Sequence, residues 1–328
     1  MNATMDKSFR GVCQRADKYA RKRAYRCLAP GCEEKAIWSH SIPRSACVEA
    51  LAEKGILYTR PMSMNSGLKM TATTDPPTIL HVGVGLAGVF KGYCPRHDAF
   101  LFASAEPTGR QRKRGMAVAL HLRALSVEYC RKRQVMEFYS RIAELTTDSD
   151  IRADYGMLAQ ELHTWLSCFE KVYLGTVFGA ADVDRVEYFC LPFARNLEVS
   201  CCGCFDGAPG AFDSIIAYNL ISYADMSILF LTTFSAVKHY LDSYLAQYVL
   251  PRYVQKLIND IAFFHCEEPL ISPRLWRSLN QDQQLRLRLS LRHPALRNET
   301  QAPTIITVAP TDFMTHVTPA LLVRVDLK

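Results

Sequence analysis

Cys27-Leu28-Ala29-Pro30-Gly31-Cys32 sets two thiols across a short turn, and far downstream Cys94-Pro95-Arg96-His97-Asp98 offers a thiol and an imidazole three positions apart. Pro and Gly inside the first stretch favour a tight knuckle. The three-residue offset of Cys94 and His97 lets both side chains meet one ion from the first turn of a helix. Four donors of this kind, Cys27, Cys32, Cys94 and His97, suit a tetrahedral Zn²⁺ site. The competing reading makes Cys27 and Cys32 small buried apolar side chains, a common fate of unpaired cysteine. The joint presence of knuckle and second pair favours the metal.

Between the two pairs, Ser39-His40-Ser41-Ile42-Pro43 closes a short apolar strand, Ala36-Ile37-Trp38. Five candidate ligands therefore compete for four places. If the cysteines and His97 saturate the metal, His40 is left to act as a general base toward water. If His40 takes a coordination place, the site is closed and purely structural.

The order of knuckle, strand ending in a histidine before Ile-Pro, and second pair opening a helix resembles the HNH endonuclease family in its zinc-stapled, treble-clef form, over roughly residues 20 to 106. The resemblance implies that Cys27 and Cys32 are the first staple pair and that Cys94 and His97 are the second, with His in place of the usual final Cys. It assigns His40 as the catalytic histidine and puts Asp98 where the family places its last His, a ligand of the catalytic divalent ion. A carboxylate there suits Mg²⁺ or Mn²⁺. The family's middle Asn has no aligned counterpart, since Asn65 lies in a stretch rich in Met, Ser and Gly. Zinc is then a scaffold, while the second ion polarises the scissile phosphate and His40 activates the attacking water. The same resemblance suggests genome defence or mobile-element biology.

Charge points the same way. Residues 1–150 hold 24 Lys and Arg against 14 Asp and Glu, whereas the remainder holds 15 against 18. The densest runs flank the metal motif: Lys18, Arg21, Lys22, Arg23 and Arg26 before it, and Arg110, Arg112, Lys113 and Arg114 after it. A metal joining Cys27 to Cys94 would bring both runs onto one surface that attracts nucleic-acid phosphates. Tyr19 and Tyr25 are the nearby aromatics, too few to argue for base stacking.

At 328 residues, with 49% hydrophobic and 22% charged, the chain is long enough for two cores. The expected fold class is α+β: a zinc-stapled treble-clef, ββα-like module at residues 1–114 with basic flanks, then an α+β domain at 115–328 built of helices and an antiparallel sheet. Met1 to Arg15 shows no secretory pattern, and Asn219 and Asp225 interrupt the apolar stretch Ile215–Phe234, which reads as two strands. These features and twelve cysteines predict a soluble protein of the reducing cytoplasm, with no membrane association.

After Gly115 the helical spacing of Val118, Leu122, Leu125, Tyr129, Met136 and Tyr139 is broken only by Arg131-Lys132-Arg133. Asp150 is placed to cap a second helix carrying Leu158, Leu162, Trp165, Phe169 and Val172. Four strands, Val186–Phe193, Leu197–Cys202, Ile215–Ile221 and Met226–Phe234, read as an antiparallel meander, with late strands at Thr304–Val308 and Leu321–Val325. Helices are expected at Ala236–Tyr248, at Pro251–Phe264 and after Ser272-Pro273. Cys201, Cys202 and Cys204 alternate along a strand and cannot easily meet one ion, while His265-Cys266-Glu267-Glu268 reads as a helix end followed by a loop. Two functions are carried forward: a metal-dependent nuclease, or a non-catalytic zinc-stabilised adaptor for nucleic acid or protein. The second domain is expected to recruit a protein partner or to form a homo-oligomer.

Overall fold

A computed structural model describes residues 7–60, 79–106, 114–171, 185–207, 214–248, 251–291 and 303–308. In chain order the elements are α1 (Lys7–Lys22), β1 (Trp38–His40), a helical turn Arg44–Val48 running into α2 (Glu49–Leu51), β2 (Ile56–Thr59), β3 (Leu80–Gly83), β4 (Val89–Lys91) and α3 (Pro95–Phe102). There follow α4 (Arg114–Leu145), α5 (Ser149–Phe169), β5 (Val186–Phe193), β6 (Val199–Asp206), β7 (Ile215–Ser222) and β8 (Ser227–Phe234). The last elements are α6 (Lys238–Ala246), α7 (Pro251–Asn259), a helical turn Asp260–His265, β9 (Leu270–Ile271), α8 (Pro273–Ser278) and α9 (Gln281–Ser290). The architecture is α+β, with every strand pair antiparallel.

Helix α4 is the spine. Its first half, including Met116, Ala117, Leu120, Leu122, Ala124, Leu125 and Val127, is buried on all sides, as a helix with no polar stripe must be. These residues share one core with Phe230, Ile221 and Cys202 of the sheet and with Phe90 and Tyr93 beside the β1–β4 ribbon. The second half of α4 packs Phe138 and Ile142 against Val12, Cys13, Ala16 and Ala20 of α1.

Seven strands form one sheet in the order β3-β2-β9-β6-β7-β8-β5. Strand β7 is buried along its whole length, and its alternate residues serve two cores: Ile215, Ala217 and Ile221 face α4, while Ile216, Tyr218 and Leu220 face the layer of α6, α7 and α9. Burial on both faces explains why the strand is so rich in apolar residues. Among the described residues no helix is long and apolar enough to span a bilayer.

Several sequence-based expectations are corrected. Strands β6, β7 and β8 do run as hairpins, but β5 pairs with β8 along its full length, Val186 opposite Phe234 and Phe193 opposite Ser227, so the four strands are not a simple meander. Strand β5 is thereby an edge, the position in a sheet that tolerates Pro192. Thr304–Val308 is not a strand: Asn259 Oδ1 accepts from the backbone N–H groups of Ile305 and Ile306 at 2.8 and 2.9 Å, and its Nδ2 donates to the Ile306 carbonyl at 2.9 Å. One side chain thus takes the place of a ladder. The cap of α5 is Asp148, whose carboxylate accepts from the N–H groups of Asp150 and Ile151. Ser272 caps α8 as expected, accepting from Leu275 N–H with Pro273 at the first helical position. Strands β2 and β3 join β5–β8 in the same sheet through the two-residue splice β9. Leu321–Val325 and Val172 lie outside the described residues.

Candidate metal centre

The knuckle is shaped by its own backbone. Cys32 N–H donates to the Ala29 carbonyl at 3.0 Å, and Gly31 carries a φ of +72°, a left-handed value that a residue with a Cβ adopts at a cost. The turn is then fastened to the segment that precedes the second pair. Leu28 N–H donates to the Gly92 carbonyl and Ile37 N–H to the Tyr93 carbonyl, both at 2.8 Å. Distant parts of the chain are thus in register before any metal is considered.

Tyr93 anchors that junction from below. Ser126 Oγ donates its single proton to the Leu122 carbonyl at 2.7 Å, so the Tyr93 hydroxyl donates to Ser126 Oγ at 2.6 Å. The fully buried ring also meets Phe102 edge-on at 5.4 Å. Cys94 is the residue before the first turn of α3, Pro95 opens the helix, and Asp98 N–H donates to the Cys94 carbonyl at 2.9 Å. Cys94 and His97 consequently project toward the knuckle from one helix end.

The outcome is a convergence of Cys27, Cys32, Cys94 and His97, whose donor atoms all lie within 4.8 Å of one another. Cys27 Sγ stands 3.4 Å and Cys94 Sγ 3.2 Å from His97 Nδ1, and Cys32 Sγ stands 3.9 Å from Cys94 Sγ. A tetrahedral Zn²⁺ with ordinary bond lengths has S···S edges of about 3.8 Å and S···N edges of about 3.6 Å. The donor set and its spacing therefore fit a structural zinc. Cys94 is fully buried and Cys27 nearly so, which shields the site from competing ligands.

His40 stands apart from this group. It ends β1 opposite Val89, and its Nε2 lies 2.9 Å from the Val84 carbonyl. Because a carbonyl only accepts, Nε2 carries the proton of the neutral ring and Nδ1 keeps the lone pair. Asp98 Oδ1 is buried and has no hydrogen-bond partner, and no hydrogen bond joins Asp98 to His40 among the described residues.

The first basic run lies exposed on the end of α1 and the turn after it. Arg21 pairs with Asp17 at 3.1 Å, Arg23 with Glu137, and Arg26 loosely with Glu33 at 3.5 Å. Lys18, Lys22 and Arg23 line a shallow cavity of about 400 Å³, joined by Arg15 and by Arg141 of α4. Arg114 opens α4, whereas Arg110, Arg112 and Lys113 lie outside the described residues, as does the stretch 61–78 that contains Asn65. The three cysteines of β6 divide as their alternation requires, with Cys201 in the core under α7 and Cys202 in the core under α4. Burial pushes the Cys202 thiol up to about 12, so it is no thiolate at neutral pH.

Sequence reasoning missed a second feature, a cleft of about 360 Å³ between the β1–β4 ribbon, β3 and α4, lined by Trp38, Lys91, Arg131 and Arg133. Its signal was present as the charged triplet Arg131-Lys132-Arg133 interrupting an apolar helix face. Compared with protein-family models, curated proteins and solved structures, the chain matches none.

Proposed function

We propose that residues 20–106 form a zinc-stapled treble clef of HNH type and that the protein hydrolyses phosphodiester bonds of nucleic acid. The observation that carries this reading is the separation of His40 from the Cys/His group. Its ring is oriented by the Val84 carbonyl, with Nδ1 left to accept a proton. Trp38 and His40 alternate with Ser39 on β1, opposite Lys91 and Val89 of β4, so the histidine shares a ribbon face with residues that line the cationic cleft.

In this reading zinc is held by Cys27, Cys32, Cys94 and His97 and has no part in the chemistry. The Asp98 carboxylate would hold a Mg²⁺ or Mn²⁺, which when bound would supply charge neutralisation at the scissile phosphate. His40 Nδ1 takes a proton from a water whose oxygen bonds to phosphorus. The bond from phosphorus to the departing strand breaks, and its oxygen is protonated from solvent. Genome defence or mobile-element biology is the setting this reading suggests.

The test is incubation of purified protein with DNA and with RNA in the presence of Mg²⁺ or Mn²⁺. Cleavage that His40→Ala abolishes at unchanged zinc content supports the proposal. Full cleavage by His40→Ala, or none by the wild-type protein, overturns it. One observation favours the adaptor alternative, in which the same zinc fold only binds nucleic acid or protein. Among the described residues the Cys/His group is the single set of three or more metal-donor side chains, and Asp98 belongs to no such set.

A further inference from the structure

Among the described residues, part of the positive charge in the cleft beside the ribbon has no carboxylate partner. Arg131 is paired with Glu268 at 2.9 Å, but Arg133 and Lys91 have no carboxylate within ion-pair distance among the described residues. Arg133 Nη2 donates to the Lys91 carbonyl at 3.0 Å, and both residues line the cleft. Lys91 Nζ spends two protons on the Arg21 and Arg23 carbonyls, at 2.9 and 3.0 Å, and so keeps one. Two donor atoms at this site are buried and have no partner among the described residues: Arg133 Nε and the Tyr25 hydroxyl, which lies on the ring that the guanidinium covers at 4.0 Å.

A half-buried guanidinium whose Nε is shut off from water and unmet is costly. The tyrosine ring offsets part of that cost, and an anion with several acceptor oxygens removes the rest. The remaining walls are of opposite character. Trp38 is 50% exposed, with the Lys91 ammonium 4.5 Å from its ring centroid, and Leu86 is 69% exposed. A cleft lined by cations and by a half-exposed indole matches a ligand that joins a phosphate to a flat ring. Its volume of about 360 Å³ is that of one nucleotide and is too small for a duplex.

We propose that this cleft is a nucleotide subsite. Arg133, Lys91 and the Tyr25 hydroxyl hold one phosphate, and Trp38 stacks on the attached base. The inference deepens the nucleic-acid reading and rests on it only for the source of the nucleotide, an unpaired strand rather than a free mononucleotide.

Fluorescence anisotropy tests it with a labelled single-stranded ten-mer of thymidylate and the same strand in duplex, and with AMP as competitor, at low salt without added Mg²⁺ or Mn²⁺. The expected result is preference for the single strand, with Kd raised about tenfold by Trp38→Ala and by Arg133→Gln, the order expected for loss of one stacked base or one phosphate contact. Zinc content and far-ultraviolet circular dichroism verify folding, and the exposed Trp38 carries the result if Arg133→Gln fails that check. Displacement by AMP, with no strand preference, keeps the subsite and assigns it to free nucleotides. Absence of binding, tighter binding of duplex, or equal affinity of wild-type protein and Trp38→Ala overturns the proposal. Cleavage is not read in this experiment, so a protein that binds here and never cuts refutes the nuclease alone.

Discussion

His121 makes acidification a calibrated perturbation. It sits on α4 at 1% exposure, with Nδ1 2.9 Å from Thr232 Oγ1, its ring perpendicular to that of Phe234 and Nε2 without a partner among the described residues. Desolvation lowers its pKa from 6.5 to about 3. The folded protein thus keeps the ring neutral, while the unfolded chain protonates it as the pH falls through 6.5. This contribution to stability is complete above the unfolded value and is lost progressively as the pH falls toward the folded one. Each unit of difference is worth about 1.4 kcal/mol, so the loss is about 2 kcal/mol at pH 5 and 4 to 5 kcal/mol near pH 3. Acid also displaces a zinc held by thiolates, which calls for a double difference. Urea unfolding of wild-type protein and of His121→Leu at pH 7.5 and pH 5.0 supplies it, since metal release is common to both. The wild-type protein should lose about 2 kcal/mol more than the variant between the two conditions. A stability gap that stays constant within about 0.5 kcal/mol would refute the claim that His121 is buried as the neutral ring.

Two further outcomes follow from the geometry. Cys94→Ser should drop the metal content from about one zinc per chain to well below half and expose the segment around Arg26 and Lys35 to trypsin, whereas Cys202→Ser, in the sheet core, should retain its zinc. Inductively coupled plasma mass spectrometry decides this, and equal loss in both variants would contradict the assignment. Glu268→Gln leaves the Arg131 guanidinium, only 13% exposed, without its 2.9 Å partner and should cost about 3 kcal/mol in denaturant unfolding, while Arg131→Met combined with Glu268→Leu should recover most of that loss. A cost under about 1 kcal/mol for the single variant would mean that Glu267 already neutralises the arginine.

How far the sequence could be read depended on the range of each interaction. The turn at Gly31, the Ser272 cap before Pro273 and the strand alternation that separates Cys201 from Cys202 are set by residues within a few positions of one another, and each was legible. The cap of α5 was misplaced by two residues because Asp148 and Asp150 are equivalent candidates until one carboxylate meets the N–H groups of Asp150 and Ile151. Pairing of β5 with β8 was not legible, since alternation fixes which face a residue serves but not which strand lies beside it. The cleft was hidden for the same reason: Lys91, Arg133 and Tyr25 are far apart in the chain and look like ordinary surface residues until α4 passes beneath the ribbon.

The sequence by itself determined the chemistry of the metal donors, the helical and strand periods, and the turn that presents Cys27 and Cys32, because these depend on residue type and local spacing. The tertiary structure alone decided that Cys27 and Cys94 converge, through the hydrogen bonds of Leu28 and Ile37 to the Gly92–Tyr93 segment. It also set His40 outside that group on the Val84 carbonyl. Among the described residues it left Arg133 and Lys91 without a carboxylate in ion-pair reach, an outcome that follows from which buried surfaces meet and that no local pattern encodes.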